Sequence, residues 1–266
     1  MPTVQTNGIE MHYEVQGEGE PLLCIMGITA PGEVWEEHVK EWSKHYQCLT
    51  PDNRGVGNTD KPEGDYSSAQ MADDYAGLLD ALGIESVKVV GCSMGSIITQ
   101  QLALRHPQKV KKAVLMCSWA RCDAYAKSVF NHLKTLKAKV TPAEFMEYIQ
   151  LLIFAKKSWD DEETYQSLLE GRQAAMENEN PQPLHGLEGQ AAACITHDVY
   201  DQLGKIKQPC LVIGGEDDQF TPRWMAEEIH AALPESTLHL YPQSGHAFHW
   251  ENLADFNQRV LSFLAD

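Results

Sequence analysis

A serine stands between two glycines at Gly91-Cys92-Ser93-Met94-Gly95, where the apolar run VKVVGC hands over to a stretch of helix formers, SIITQQLALRH. Small neighbours at such a junction permit a sharp, strained turn that lifts the serine hydroxyl above a sheet. The same residues would also suit a helix start, because serine is a favoured N-cap. An attacking serine needs a base, an acid to orient that base, and N–H donors for the developing oxyanion. The base and acid have candidates near the end of the chain. GGEDDQFTP carries Asp217 and Asp218, and QSGHAFHWE carries His246 directly after Gly245. In that reading His246 takes the proton of Ser93 and returns it to the leaving group, while Asp218 holds the imidazole tautomer and stabilises its cation.

Such a trio works only if the chain folds its separate segments to one edge. Short apolar runs bounded by Gly, Pro or Asp recur at 22–26, 47–51, 87–92, 113–118, 209–214 and 237–242. Continuous apolar runs of that length suit strands covered on both faces. Ile9, Met11, Tyr13 and Val15 alternate with polar residues after Asn7-Gly8, which predicts a half-buried strand behind a turn. Helical patterns lie between the strands at 33–44, 69–82, 95–106, 222–232 and 251–264. The alternation predicts an α/β fold with a parallel sheet and helices on both sides. Ligands in open sheets of this type gather beyond the C-terminal strand ends, where Ser93, Asp218 and His246 all fall.

One segment breaks the rhythm. From Arg121 to Gly204 no strand-like run occurs, and TPAEFMEYIQLLIF and DDEETYQSLLEGRQAAMENE read as amphipathic helices with capping residues in front. NENPQPLHG, at 178–186, reads as a loop. The expected organisation is a core from 1–120 and 205–266, interrupted by a helical cap at 121–204.

These motifs together resemble the α/β-hydrolase superfamily from end to end, in the chain order Ser, Asp, His. The resemblance implies a mostly parallel eight-stranded sheet. Relatives place the acid three residues after a glycine and four before a proline, which Gly215, Asp218 and Pro222 satisfy, so Asp218 is preferred to Asp217. Asp52-Asn53-Arg54-Gly55-Val56-Gly57-Asn58-Thr59 is similar to a family segment that ends in serine, and it reads as a structural tie near the turn. After the third strand the family shows His-Gly and then a tryptophan. Here Met26 stands in place of the histidine, while Gly27 and Trp35 keep their places. The oxyanion hole is built from backbone N–H groups, so Ile28 and Met94 are the expected donors despite that change.

The bulk composition narrows the partners. A formal charge of −17 disfavours nucleic acid, anionic membranes and strongly anionic substrates, because phosphate contacts require clustered Lys and Arg. The 7 cysteines show no CxxC spacing and read as buried thiols. Cys92 is expected to face the core. His197 and His230 lack metal-ligand spacing, so neither a metal nor a cofactor is expected. The N-terminus has no basic region followed by an apolar stretch, and no run approaches a membrane span, which predicts a cytoplasmic protein. Trp119, Phe220 and Ala247 are expected to line the pocket. His249 and Trp250 read as opening the last helix and packing on the sheet.

The expected chemistry is acyl transfer to water. The segment 121–204 resembles the cap of 3-oxoadipate enol-lactonase-like esterases, and Leu151, Leu152, Ile153 and Phe154 would give it an apolar face. The implied substrate is a small-to-medium, largely uncharged ester or lactone. Carbon–carbon bond hydrolysis of ring-cleavage products is the alternative, echoed by Gly245-His246 and Trp250-Glu251. A serine nucleophile excludes dehalogenase and epoxide hydrolase chemistry, and Met94 disfavours aminopeptidases. A ligand receptor or non-catalytic scaffold on the same fold stays open, as does a homo-oligomer.

Overall fold

The structure, a computed structural model, describes residues 1–265. The last position of the expected 205–266 segment lies outside the described residues. The chain opens with β1 (Thr3–Thr6) and β2 (Ile9–Gln16), an antiparallel pair joined at Asn7-Gly8. Both turn residues have positive φ, 44° and 78°, as a two-residue hairpin twisted to match its strands requires. Then follow β3 (Pro21–Ile25), α1 (Glu36–Trp42), β4 (Gln47–Pro51), α2 (Ser68–Ala81), β5 (Val87–Cys92), α3 (Met94–Arg105) and β6 (Val110–Met116). Five helices come next: α4 (Ala124–Lys137), α5 (Pro142–Ile153), α6 (Lys156–Asp160), α7 (Glu162–Glu177) and α8 (Leu184–Thr196). The chain closes with β7 (Cys210–Gly215), α9 (Arg223–Ala232), β8 (Ser236–Tyr241), α10 (Phe248–Glu251) and α11 (Leu253–Ala265).

The strands form one 8-stranded sheet in the order β1-β2-β4-β3-β5-β6-β7-β8. It is parallel from β4 through β8, and β1 and β2 run antiparallel. Successive side chains of a strand point to opposite faces, and the core divides accordingly. Leu23, Ile25, Val89, Leu115 and Val212 belong to the cluster under α2, α3 and α9. Leu22, Cys24, Val90, Val114, Leu211 and Ile213 belong to the cluster with Trp35, Trp42, Phe248 and Phe256. That two-sided burial is the reason the central strands read as unbroken apolar runs.

The helical segment leaves after β6 and rejoins before β7, with a bridge between Arg121 and Asp198 at its base. α5 and α7 begin where the capping residues predict: Thr141 and Glu144 form a capping box, and Asp161 accepts from Thr164 N. Two further long helices, α4 and α8, escape the sequence pattern. α8 carries two glycines that loosen its helical signal, and both are explained by close approach. A Cβ on Gly186 would collide with the backbone oxygen of Gly55, and one on Gly189 would lie 2.6 Å from the Tyr66 ring. The loop expected at 178–186 therefore ends at Pro183. Among the described residues, no helix is long and apolar enough to cross a membrane.

Candidate active site

Ser93 sits between β5 and α3 with φ 54° and ψ −117°, a conformation that costs about 1–3 kcal/mol for a residue with a side chain. Its backbone N–H donates to Met116 O at 2.9 Å, and its carbonyl accepts from Ser96 N at 2.9 Å, so both flanking elements hold the turn. The two glycines are needed for space. A Cβ on Gly95 would collide with Ile25 O, and one on Gly91 would lie 2.5 Å from Gly95 O. On the other side of the serine, a Cβ on Gly27 would come within 3.2 Å of Ser93 Cβ. The loop after β3 therefore touches the serine directly. Met94 is the first residue of α3, where N–H groups have no intrahelical partner, and its side chain is buried.

The other two candidates meet on the loops after β7 and β8. Gly215 lets these loops close together, because a Cβ there would strike Ser244 O and Gly245 O. His246 Nδ1 donates to Asp218 Oδ2 at 2.8 Å. The second carboxylate oxygen, Oδ1, accepts from Phe220 N and Thr221 N, each at 2.8 Å. Thr221 Oγ1 donates to Oδ2 at 2.8 Å and lies 3.2 Å from His246 Nδ1. Three donors from Phe220 and Thr221 thus hold the Asp218 carboxylate in the place from which it accepts the imidazole N–H. Asp217 is exposed, and its backbone N–H donates to Ser244 O. Geometry separates the two neighbouring aspartates as the glycine-proline frame does. Burial disfavours the His246 imidazolium, but the charge and hydrogen bond of Asp218 outweigh it and raise the pKa above the usual 6.5.

A cavity of about 1070 Å³ opens over this arrangement. Ser93, His246, Gly27 and Ile28 border it from the sheet side, and Phe220 and Ala247 line it as expected. Trp119 does not. It is buried against Phe130, with ring centroids 5.7 Å apart, and Phe130 packs on Phe220, so Trp119 supports the wall from behind. Of the expected apolar face of the helical segment, Ile153 and Phe154 reach the cavity, while Leu151 is exposed on the outside.

Several site neighbours make contacts that their sequence positions do not reveal. His249 is buried in α10, as expected, and also borders the cavity. Its Nδ1 is 2.9 Å from His38 Nε2, and His38 Nδ1 is 2.8 Å from Asn257 Oδ1. Burial drives His38 down to about 4 and His249 well below the usual range, so this pair is neutral. Glu251 ties the α5–α6 junction to the His246 loop: its carboxylate accepts from Ala155 N, Ser158 Oγ and Gly245 N. Cys92 is buried with its Sγ 3.7 Å from that of Cys117, a contact that lowers its pKa. Among the described residues, no group of three or more His, Cys, Asp or Glu is arranged to hold a metal.

A strained serine turn, a carboxylate-oriented imidazole and an adjoining glycine loop, at the C-terminal ends of parallel strands, define a hydrolase of the superfamily the sequence resembles. Comparison with known proteins agrees: the alpha/beta hydrolase fold family matches residues 20–253, and the chain belongs to it. Hydrolysis is the activity class this membership carries. A Mycobacterium tuberculosis protein that bears the name non-heme bromoperoxidase BpoC is 31% identical, over 97% of this chain and 98% of its own. The 2-hydroxy-6-oxo-6-phenylhexa-2,4-dienoate hydrolase of Burkholderia cepacia is 28% identical, over 99% and 95% respectively. Among solved structures, the enol-lactonase of Burkholderia xenovorans LB400 superposes with a TM-score of 0.90 over 100% of both chains, at 23% identity, a likeness of fold.

Proposed function

We propose that this chain is a serine hydrolase that cleaves a small-to-medium, largely uncharged carboxylic ester or lactone through an acyl-enzyme. The observation that carries the reading is His246, held by Asp218 at 2.8 Å and bordering the same cavity as the strained Ser93 turn. Ser93 Oγ attacks the carbonyl carbon while its proton passes to His246 Nε2. The oxyanion is met by the backbone N–H groups of Ile28 and Met94, each worth about 10²–10³ in rate. The intermediate collapses, the C–O bond to the leaving alcohol breaks, and His246 returns the proton to that oxygen. Water then attacks the acyl-enzyme with His246 again as base, releasing the acid and regenerating Ser93. In a lactone the alcohol and acid leave as one molecule.

The size of the cavity and the apolar contributions of Ile28, Ile153, Phe154 and Phe220 favour an uncharged acyl group over a polymer or a polyanion. The likeness to the dienoate hydrolase supports carbon–carbon bond cleavage as a second reading. Against it, the Trp250-Glu251 echo is occupied with packing: Trp250 stacks on Phe154, and the Glu251 carboxylate is consumed by Ala155, Ser158 and Gly245. Steady-state kinetics on p-nitrophenyl esters, γ- and δ-lactones, carbamates and vinylogous ring-cleavage diketones discriminates. Esters or lactones turning over best supports the proposal. Preference for the diketones would establish the second reading, and binding without turnover of any would indicate a receptor.

A further inference from the structure

The loop that carries the expected oxyanion donor runs from Met26 to Gly32 and is anchored at three points. Met26 O accepts from Asn53 Nδ2 at 2.8 Å, and Gly32 N donates to Asp52 Oδ1 at 2.7 Å. Both of those partners come from the segment after β4, whose role as a structural tie the sequence indicates. The third anchor comes from the helical segment instead. Thr29 N donates to Gln190 Oε1 at 2.9 Å, across 161 positions of sequence.

Gln190 lies on α8, fully buried, and each of its polar atoms is committed. Its Oε1 also accepts from Gln182 Nε2 at 2.9 Å, and its Nε2 donates to Arg54 O at 2.9 Å. The amide can point only one way, because Thr29 N–H is solely a donor and Arg54 O solely an acceptor. Thr29 has φ 70°, in the left-handed region that a β-branched residue avoids. In that strained conformation its own N–H is bonded to Gln190.

Peptide planes explain the consequence. Asn53 fixes the plane between Met26 and Gly27, and Gln190 fixes the plane between Ile28 and Thr29. The peptide between these two planes bears the Ile28 N–H, and Gly27 at its start packs on Ser93. Met26 has a thioether side chain with no N–H or O–H to add a further tie. We propose that Gln190 is a positioning residue for the oxyanion hole, so that seating α8 on the core sets the Ile28 N–H against the reacting carbonyl. The glycines Gly186 and Gly189, which bring α8 into contact with Gly55 and Tyr66, give Gln190 its reach.

This inference rests on the serine-hydrolase reading, and its test keeps the two separable. Wild-type protein is first reacted with a fluorophosphonate and shown to be labelled at Ser93. If it is not labelled, the hydrolase reading fails and takes this proposal with it. In labelled protein, Gln190→Met preserves volume and removes the acceptor. We expect kcat on the best ester to fall about 10- to 100-fold with KM within about threefold, since the lost alignment acts on one donor in the transition state. The inhibition constant of a trifluoromethyl ketone, which forms an oxyanion on the serine, rises by the same factor, while that of the product alcohol stays level. Gln190→Glu, which keeps an acceptor for Thr29 N, recovers part of the loss. Gln182→Leu disturbs the same buried cluster but leaves the Thr29 bond, and keeps kcat within about threefold. A folded Gln190→Met enzyme with wild-type kcat overturns the proposal, as does an equal loss in Gln182→Leu. If the Met variant does not fold, Gln190→Asn, whose amide falls one methylene short of Thr29, is judged by the same outcomes.

Discussion

Replacing Asp218 by Asn keeps the shape of the side chain and inverts its hydrogen-bonding role. The structure dictates how the new amide must sit. Oδ1 accepts from Phe220 N and Thr221 N at 2.8 Å each, so an NH₂ group there would face two donors. The amide nitrogen is therefore forced into the place of Oδ2, 2.8 Å from His246 Nδ1. Nδ1 must then accept, the ring proton moves to Nε2, and His246 can no longer take the proton of Ser93. Turning the ring back to its working tautomer sets two N–H groups against each other, and the imidazolium formed in the reaction has lost its counter-charge. Changes of this kind cost about 10⁴ in kcat, or about 5–6 kcal/mol of transition-state stabilisation. Thr221 Oγ1 can accept from the new amide, so the fold should be little disturbed, with a melting temperature within about 4 °C of wild type. The assay is steady-state hydrolysis of the best ester alongside a thermal melt. Asp217→Asn, at an exposed side chain, serves as control and should retain wild-type kcat. An Asp218→Asn enzyme that keeps more than about a tenth of wild-type kcat refutes the assignment of the acid.

Two predictions concern protons. Because Asp218 raises the pKa of His246, kcat/KM should fall on the acid side with a midpoint above 6.5, where the base becomes protonated; a midpoint below 6 contradicts the assignment. Stability should also decline in acid, since burial holds His38 at about 4 and His197 at about 3. Between pH 6.5 and those values the unfolded chain binds protons that the folded chain refuses, so stability present above 6.5 is lost as pH falls. With the unfolded histidines half protonated at 6.5 and the slope approaching about 1.4 kcal/mol per pH unit for each below it, moving from pH 6.5 to pH 5 removes about 3 kcal/mol for the two. Asp73, whose carboxyl is lowered, adds a further loss only as the pH falls below its usual 3.8, and the raised pKa of His246 acts mainly above 6.5. Urea unfolding midpoints that do not move between those two pH values would contradict the neutral buried histidines.

What could be read from the sequence was whatever local chemistry dictates. β4 and β5 fall on the expected residues because both faces of each strand are buried, and no residue inside either run can be polar without a partner. The strained turn at Ser93 was legible because it demands small neighbours, whereas the preference for Asp218 over Asp217 came from the family frame, and it is Asp218 that meets His246. α8 was obscured by the glycines that let it dock, a requirement set by Gly55 and Tyr66 more than a hundred residues earlier. Trp119 was misplaced for a related reason. Its position beyond β6 suggested the pocket, but Phe130 of α4, a helix not read from the pattern, stands between it and the cavity wall. The His38–His249 pair and the Gln190 anchor join residues 211 and 161 positions apart, and no spacing rule links such partners.

The central claim is that Ser93 is a nucleophile activated by His246. Incubating the folded protein with a fluorophosphonate and mapping the adduct by peptide mass spectrometry tests it most directly. The account predicts a single stoichiometric adduct on Ser93, abolished in Ser93→Ala and strongly slowed in His246→Ala. Folded protein that stays unlabelled at Ser93, or that labels equally fast without His246, would contradict it.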